Sequence, residues 1–470
     1  MTGRGADRRR ARSNETDVRE MQVTEIQSDG LKREFKIVVP LVELDERLVQ
    51  RLTSLKDEVR IKGFRPGKVP VNHLRKLYGR SAMAEIVQTM LREVAKKTLD
   101  ERGERAATPP DYQLPEDEGE AERILLGKAD LAYTMTYEVL PKVVLGDFKT
   151  IKVERPVVEI ADAEVETQLQ QLAESGRTFE TKTGKAESGD RVTISYLGKI
   201  DGEVFDGGAD DNAVLRLGSG QFIPGFEDQL EGASAGDERT VTVTFPEDYG
   251  AANLAGKTAT FDVTIKEVSK PGELVIDDQL AERLGLESID KLRDAIKEQL
   301  RNQYNEASRM KVKRQILDRL DEMHSFDLPP KMVEAEFENI WRQITGDMAR
   351  SARTFEMEGT NEEAARTDYR KIAERRVRLG LVLSEIGERN KIEVREEEMQ
   401  RALAAHLRQF PGREQAVLDF YRKDPDALVA LRAPIFEEKV VDFLLELINV
   451  TDKPVTREEL LKDDDEVAAG

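Results

Sequence analysis

Leu44, Leu48, Leu52, Leu55 and Val59 recur three to four residues apart with charges between them, the pattern of an amphipathic helix. Val71, Leu74 and Leu77 restart it as far as Gly79, and another long helix is predicted from about Ser81 to Arg102. Phe35, Ile37 and Val39 alternate before Pro40, and Tyr133 to Val139 alternates again, as strands with one buried face do. The acidic, proline-bearing stretch from Thr108 to Glu122 reads as a loop, and Pro141 to about Glu166 as extended chain. Between about 170 and 268 short β-branched runs appear, Val192–Tyr196, Val241–Phe245 and Phe261–Ile265, separated by turns such as Asp201-Gly202 and Gly207-Gly208. After Pro271 the helical period returns: Leu292 to Leu320, a break at Pro329-Pro330, Val333 to Ile344, then about 362–389, 395–409, 414–422 and 425–448. The fold class predicted is multidomain α+β. Its parts are an extension over 1–20, an α+β domain over 21–131, an extended linker over 132–169, a small antiparallel sheet domain over 170–268, an elongated all-α region over 269–455 and an acidic disordered tail over 456–470.

At 470 residues the chain is too long for a single core, which supports this division. The absence of cysteine excludes disulfides and thiolate chemistry and agrees with a reducing compartment. His73, His324 and His406 are far apart and lack metal-ligand spacing, so they read as surface or helix-face residues and no metal or other cofactor is expected. No apolar run approaches the roughly 18 residues of a membrane span, and the arginine-rich residues 1–20 lack the apolar core of a secretory signal. Gly250 to Gly256-Lys257-Thr258 imitates a phosphate loop but has one residue too many and no helical pattern after it.

Charge singles out one segment. The chain carries −20 overall, yet between Lys56 and Arg80 eight cations (Lys56, Arg60, Lys62, Arg65, Lys68, Arg75, Lys76, Arg80) face Asp57 and Glu58, a local +6. At its centre, Gly63-Phe64-Arg65-Pro66-Gly67-Lys68-Val69-Pro70 joins two helical patterns. Its glycines permit positive φ and its prolines fix φ, so the tip loses little entropy on docking. A basic tip on an acidic body suits a surface rich in phosphate or carboxylate. The bland alternative is a helix-turn-helix corner with Phe64 tucked inside. The octapeptide resembles the ribosome-binding signature G-F-R-x-G-x-x-P of bacterial trigger factors, with Pro66 at the variable position. The resemblance implies that Gly63, Phe64, Arg65 and Lys68 contact the ribosome. It begins at Met21, where Met-Gln-Val-Thr looks like the family's usual start, so a start codon assigned too far upstream would explain residues 1–20.

The sheet domain carries a second resemblance. Leu217-Gly218, Phe222-Ile223-Pro224-Gly225-Phe226-Glu227, Tyr249-Gly250 and Phe261-Asp262-Val263 are similar to the FK506-binding-protein (FKBP) class of peptidyl-prolyl isomerases, in order, over 190–268. This implies an antiparallel β half-barrel with a short helix, and a prolyl pocket lined by Tyr196, Phe205, Asp206, Phe222, Ile223, Phe226, Tyr249 and Phe261. Phe226 stands where stand-alone enzymes carry tryptophan, Ala213 stands where many relatives carry an aromatic, and Asp206 is expected to orient a tyrosine hydroxyl or the substrate carbonyl. The chemistry suits such a lining. Rotation about X-Pro must break amide resonance, against a barrier of ~18–20 kcal/mol, and needs no nucleophile or metal. A dry aromatic cup favours the twisted, less dipolar amide over the planar one that water solvates. The bland reading is that these rings are only a domain core.

Domain order completes the likeness to trigger factors over about 21–455. It implies a cytoplasmic, partly ribosome-associated chaperone whose 21–131 domain binds the large ribosomal subunit near the tunnel exit, on protein and rRNA. It also implies contacts with nascent and unfolded polypeptides, a homodimer off the ribosome, and neither membrane nor DNA as partner. Apolar helix positions such as Met323, Phe326, Met332, Phe337, Met348, Phe355 and Met357 offer an adaptable client surface or ordinary interhelical packing. Two rival readings are an interaction protein with a vestigial isomerase domain and an isomerase with a helical dimerisation region and no ribosomal role.

Overall fold

The computed structural model describes residues 21–462 except Gly63, Pro66, Asp248, Ala252, Asn253 and Ala352, so the expectations for 1–20 and 463–470 lie outside the described residues. The chain opens with an antiparallel hairpin, β1 (Gln22–Asp29) and β2 (Lys32–Val39), turned at Gly30 with φ +51°. Helix α1 (Leu41–Glu58) buries Leu44, Leu48 and Leu52. Helix α2 (Val71–Arg102) then runs unbroken through Gly79, where the sequence suggested a stop, because Leu74, Ala82, Met83 and Ile86 on both sides of the glycine bury into one core. It ends at Gly103 in the left-handed conformation (φ +60°).

The stretch expected to be a loop instead folds as β3 (Asp111–Gln113) and α3 (Glu118–Leu125), the latter capped by Asp117 accepting from the Glu120 N–H at 2.8 Å. Strand β4 (Leu131–Glu138) joins the first sheet, in the order β1-β2-β4-β3. Leu131, Tyr133, Met135 and Tyr137 all point into the first core, so the first domain extends past the boundary expected at 131.

The expected extended linker contains β5 (Lys152–Val157) and the start of α4 (Asp162–Ser175), whose Val165, Leu169 and Ala173 are buried. The second sheet follows: β6 (Phe179–Thr181), β7 (Arg191–Ile200), β8 (Glu203–Arg216), β9 (Glu238–Thr244) and β10 (Thr258–Pro271), all antiparallel, in the order β6-β10-β7-β8 with β9 also on β10. Thr258 opens a strand, so the phosphate-loop lookalike leads into no helix.

Helices complete the chain: α5 (Asp278–Arg283), α6 (Ile289–Met323), α7 (Pro330–Ser351), α8 (Glu362–Asn390), α9 (Glu396–Leu407), α10 (Glu414–Lys423) and α11 (Pro425–Leu445). Strand β11 (Asn449–Pro454) pairs with β5, and a short α12 (Arg457–Leu461) follows. The tail expected from 456 is therefore ordered as far as Lys462, because Leu460 buries with Leu169, Ile296 and Tyr304.

Two compact units result, and they divide the chain differently from the sequence-based domains. One holds the chain up to Arg155 with Met310–Asp452 and Lys462; the other holds Pro156–Arg309 with Lys453–Leu461. In the second unit, α4, α5, the first part of α6 and α12 share a core beside that of the sheet. In the first unit, the buried Glu138 carboxylate accepts the Lys331 N–H at 2.9 Å, placing negative charge at the amino end of α7. His324, expected on the surface or a helix face, is buried in this unit just past the end of α6, with Nδ1 on the Leu320 carbonyl at 2.7 Å and Nε2 accepting the Gly146 N–H at 3.3 Å.

Candidate active site and docking loop

The β7–β8 ladder slips register twice, between Ile194 and Tyr196 and between Leu197 and Lys199, which leaves Gly198 buried beneath two rings. A Cβ on Gly198 would lie 2.6 Å from Phe261 and 2.8 Å from Phe205, and one on Gly208 would lie 2.8 Å from Phe205. Glycine at both positions lets the Phe205 ring lie flat on the strand. The other rings gather about Phe226, which is 1% exposed. Phe222 stacks on it at 5.1 Å, Phe261 meets it edge-on at 5.3 Å, and Tyr196 stands edge-on to Phe222, Phe226 and Phe261 at 5.9–6.3 Å. Phe205 joins through Phe261 at 6.1 Å, and Ile223 packs against the same core.

Tyr249, 40% exposed, enters through Phe245, a buried ring that sequence reasoning missed. Phe245 lies 4.7 Å from Tyr249 and 6.0 Å from Phe205. The signal was its place directly after the alternating β9 strand. Ala213 packs beside this core, where a larger residue would have added a wall.

Of the eight candidate pocket residues, only Asp206 stands apart. It is exposed and forms no hydrogen bond or ion pair among the described residues. The carboxylate that acts on Tyr196 is Asp210, its cross-strand partner. Burial first, then the charge of Asp210, raises the Tyr196 hydroxyl above the ordinary tyrosine pKa, so Tyr196 stays a neutral donor.

Glu227, quoted in the sequence motif but given no role, is 5% exposed. Its carboxylate accepts from the N–H groups of Gly220 (3.0 Å), Gln221 (2.9 Å) and Phe222 (3.2 Å) and from Ser219 Oγ (3.2 Å). Burial pushes its pKa up, but these donors outweigh burial and hold it below the ordinary carboxylate value. The loop bearing Phe222 is thus wrapped around one anion.

The basic loop lies in the other unit. Val69 is buried at 2%, and Gly67, at φ +77°, donates its N–H to the Lys56 carbonyl at 3.0 Å. A Cβ on Gly67 would approach Asp57 Oδ1 to 2.9 Å, which the side chain can relieve by moving, so it is the positive φ that calls for glycine at this turn. Phe64 is not tucked inside: it is 38% exposed, resting only partly on His73 at 5.1 Å between ring centroids. Lys62, Arg65 and Lys68 are exposed and form no ion pair among the described residues, whereas Arg75 is neutralised by Asp45. Gly63 and Pro66 lie outside the described residues.

An antiparallel half-barrel with a ring-lined cup is the architecture of an FKBP-type isomerase, and the profile described as FKBP-type peptidyl-prolyl cis-trans isomerase matches residues 182–266. On either side, profiles described as bacterial trigger factor protein (TF) and its C-terminus match 21–172 and 288–446. The chain is 58% identical over 446 residues to the trigger factor of Brucella anthropi, covering 95% of this chain and 94% of that protein. It is 59% identical to that of Brucella abortus (strain S19), covering 94% and 93%, and 58% identical to that of Agrobacterium fabrum (strain C58), covering 95% and 91%. A solved structure, described as promiscuous substrate recognition in folding and assembly activities of the trigger factor chaperone, matches the fold with a TM-score of 0.54 at 20% identity, over 90% of this chain and 99% of that one. The chain belongs to the trigger factor family. It is a chaperone and a peptidyl-prolyl cis-trans isomerase, in a family that binds ribosomes and nascent chains.

Proposed function

We propose that the isomerase reaction takes place in the cup formed by Tyr196, Phe205, Phe222, Ile223, Phe226, Tyr249 and Phe261, and that the Phe64–Lys68 loop docks the chain on the large ribosomal subunit near the tunnel exit. The observation that carries the first part is the convergence of rings on Phe226. A proline ring fits a floor of edge and face aromatic surface that excludes water. With Tyr196 and Tyr249 as the polar ends, the planar amide loses its hydration while the twisted form loses little, which lowers the barrier. Each ~1.4 kcal/mol so gained is tenfold in rate. Asp206, exposed and without a side-chain partner among the described residues, is assigned to the substrate carbonyl.

The docking reading is supported by the exposed Phe64, the unpaired Arg65 and Lys68 and the local excess of cations on an acidic chain. Ribosomal protein carboxylates and rRNA phosphates both suit these groups. On this reading the chain works in the cytoplasm, divides its time between ribosome and solution, and pairs with a second copy when free.

A proline-limited tetrapeptide assay tests the cup. Phe226→Ala is expected to lower kcat/KM at least tenfold while aggregation of an unfolded client is still suppressed. Truncating a buried phenylalanine costs ~3–5 kcal/mol, so circular dichroism must first establish that the domain stays folded. A folded variant with the wild-type rate would move the reaction elsewhere.

A further inference from the structure

Within the first unit, residues 141–151 form a strap that leads from the first sheet to the helical core. Leu140, just before it, still belongs to the sheet domain and donates its N–H to the Arg105 carbonyl at 2.8 Å. Val143, Leu145, Phe148 and Ile151 pack with Ile316 and Leu320 of α6. The Lys149 carbonyl accepts the Asn449 side-chain amide at 2.9 Å. Between Leu140 and Lys149, one hydrogen bond among the described residues ties the strap to another element: the Gly146 N–H donates to His324 Nε2 at 3.3 Å.

The partners of His324, which is 4% exposed, fix the state of its ring. The Leu320 carbonyl, 2.7 Å from Nδ1, can only accept, so Nδ1 carries the proton. The Gly146 N–H can only donate, so Nε2 offers its lone pair and the ring is neutral. A second proton on Nε2 sets donor against donor. At the Nδ1 end nothing is lost, because a cation is favoured beside the last carbonyls of a helix. The charged groups on the segments that meet here are otherwise engaged or set apart. Asp321 of α6 pairs with Arg378 of α8, Glu322 with Arg319, and Lys313 of α6 with Glu437 and Glu438 of α11. Asp147 of the strap accepts the Lys149 N–H at 3.1 Å, and Lys142, Lys149 and Asp327 are exposed. Among the described residues, no carboxylate forms an ion pair with the His324 ring to hold it charged.

We propose that His324 is a pH-sensitive pin: with a neutral ring it holds the strap at Gly146, and on gaining a second proton it stays on the end of α6 and lets the strap go. Only the neutral ring makes both bonds, so the hold is present on the alkaline side of the ring's titration and lost on the acid side. Imidazole is the side chain that changes charge between about pH 5 and 8, so mild acid suffices to work such a pin. Val143 and Ile151, buried on either side of Gly146, confine the release to the run between them. Acid thereby loosens the link between the first domain and the helical core without unfolding either.

The test uses the full chain. Since it contains no cysteine, Val144→Cys, at a position 82% exposed, takes a single spin label on the strap. The label is expected to tumble about threefold faster as pH falls from about 7.5 to 5.5. Adding His324→Gln should abolish that response, because an amide acceptor does not titrate there. The chain has three histidines, so nitrogen-15 histidine spectra report the His324 ring directly, assigned by elimination with His73→Gln and His406→Gln. The Nδ1–H form is expected at neutral pH, and the midpoint of ring protonation should agree with that of label mobility to within about half a pH unit. Should circular dichroism show that His324→Gln unfolds the helices, this agreement decides alone. An Nε2–H ring at neutral pH, a ring that stays neutral until the helices melt, midpoints further apart than that, or a label that responds equally in folded His324→Gln would each overturn the proposal.

Discussion

Phe222 reaches the cup because the Glu227 carboxylate gathers the N–H groups of the loop that carries it. Removing that acceptor strands buried donors, at about 1–3 kcal/mol for each group left unpaired. Glu227→Ala is therefore expected to destabilise the sheet domain by about 2–3 kcal/mol and to raise KM more than it lowers kcat, since a wall loosens while the Phe226 floor stays. Glu227→Gln, which keeps a carbonyl acceptor, should recover much of the loss. The sign with pH follows from a folded pKa held below the unfolded one. The stabilisation is complete above the ordinary glutamate pKa and disappears as pH falls through the depressed value. Urea midpoints and tetrapeptide kinetics on both variants check this; an alanine variant with native KM would remove Glu227 from the positioning of Phe222. At this scale the sequence was legible where side chains are large and apolar. Tyr196, Phe205, Phe222, Ile223, Phe226, Tyr249 and Phe261 all converge. It did not show that Asp210 pairs with Tyr196 across the strands, because that pairing depends on the register slips beside Gly198, and spacing along the chain does not encode them.

Helix starts were read closely where an apolar stripe met a proline, as at Pro330 and Pro425, but not at Gly79, which α2 runs through. Strands were harder. Strand β1 is exposed along its whole length and β8 runs through Gly207-Gly208, so neither displays an alternation of buried and exposed positions. Helices α9 and α10 contain no buried residue, and polar contacts help to seat α9. Glu398 accepts Lys439 Nζ of α11 at 2.8 and 2.9 Å and the Arg395 N–H at 2.7 Å. Lys439 first and the Arg395 N–H second hold its pKa down to about 2. Being lowered, it favours the docked helix above the ordinary glutamate pKa, and that contribution fades between there and about pH 2. Protection factors for amide exchange within α9, each referred to the intrinsic rate at its own pH, should fall over this window in the native chain. In Lys439→Met the protection should already be low at neutral pH and change less on acidification. Identical profiles for the two proteins would show that this carboxylate does not seat α9.

Domain order carried the whole-molecule reading, while the division inside α6 was hidden, since the core shared by Leu169, Ile296 and Leu460 joins segments far apart in sequence. What acts at this scale is contrast of charge: −20 for the chain and +6 around one loop. Long-range attraction to an anionic surface then orients the molecule, since the acidic remainder is repelled. On the proposed docking, Phe64 would supply the apolar contact and Arg65 a charge-assisted one, and a tip this small must depend on a few strong contacts, not on area. Losing Arg65 is expected to cost ~2 kcal/mol, roughly thirtyfold in affinity for vacant ribosomes. Affinity of the native chain should fall steeply as salt rises, because its cations are screened together. The Phe64→Ala, Arg65→Ala double variant should show a shallower salt slope, because one of those cations is gone. Its tetrapeptide isomerase rate should equal that of the native chain, because the cup is in the other unit. Equilibrium binding at two salt concentrations, with that rate as the folding control, decides the matter. Native affinity and slope in a variant of native isomerase rate would strip the loop of its docking role.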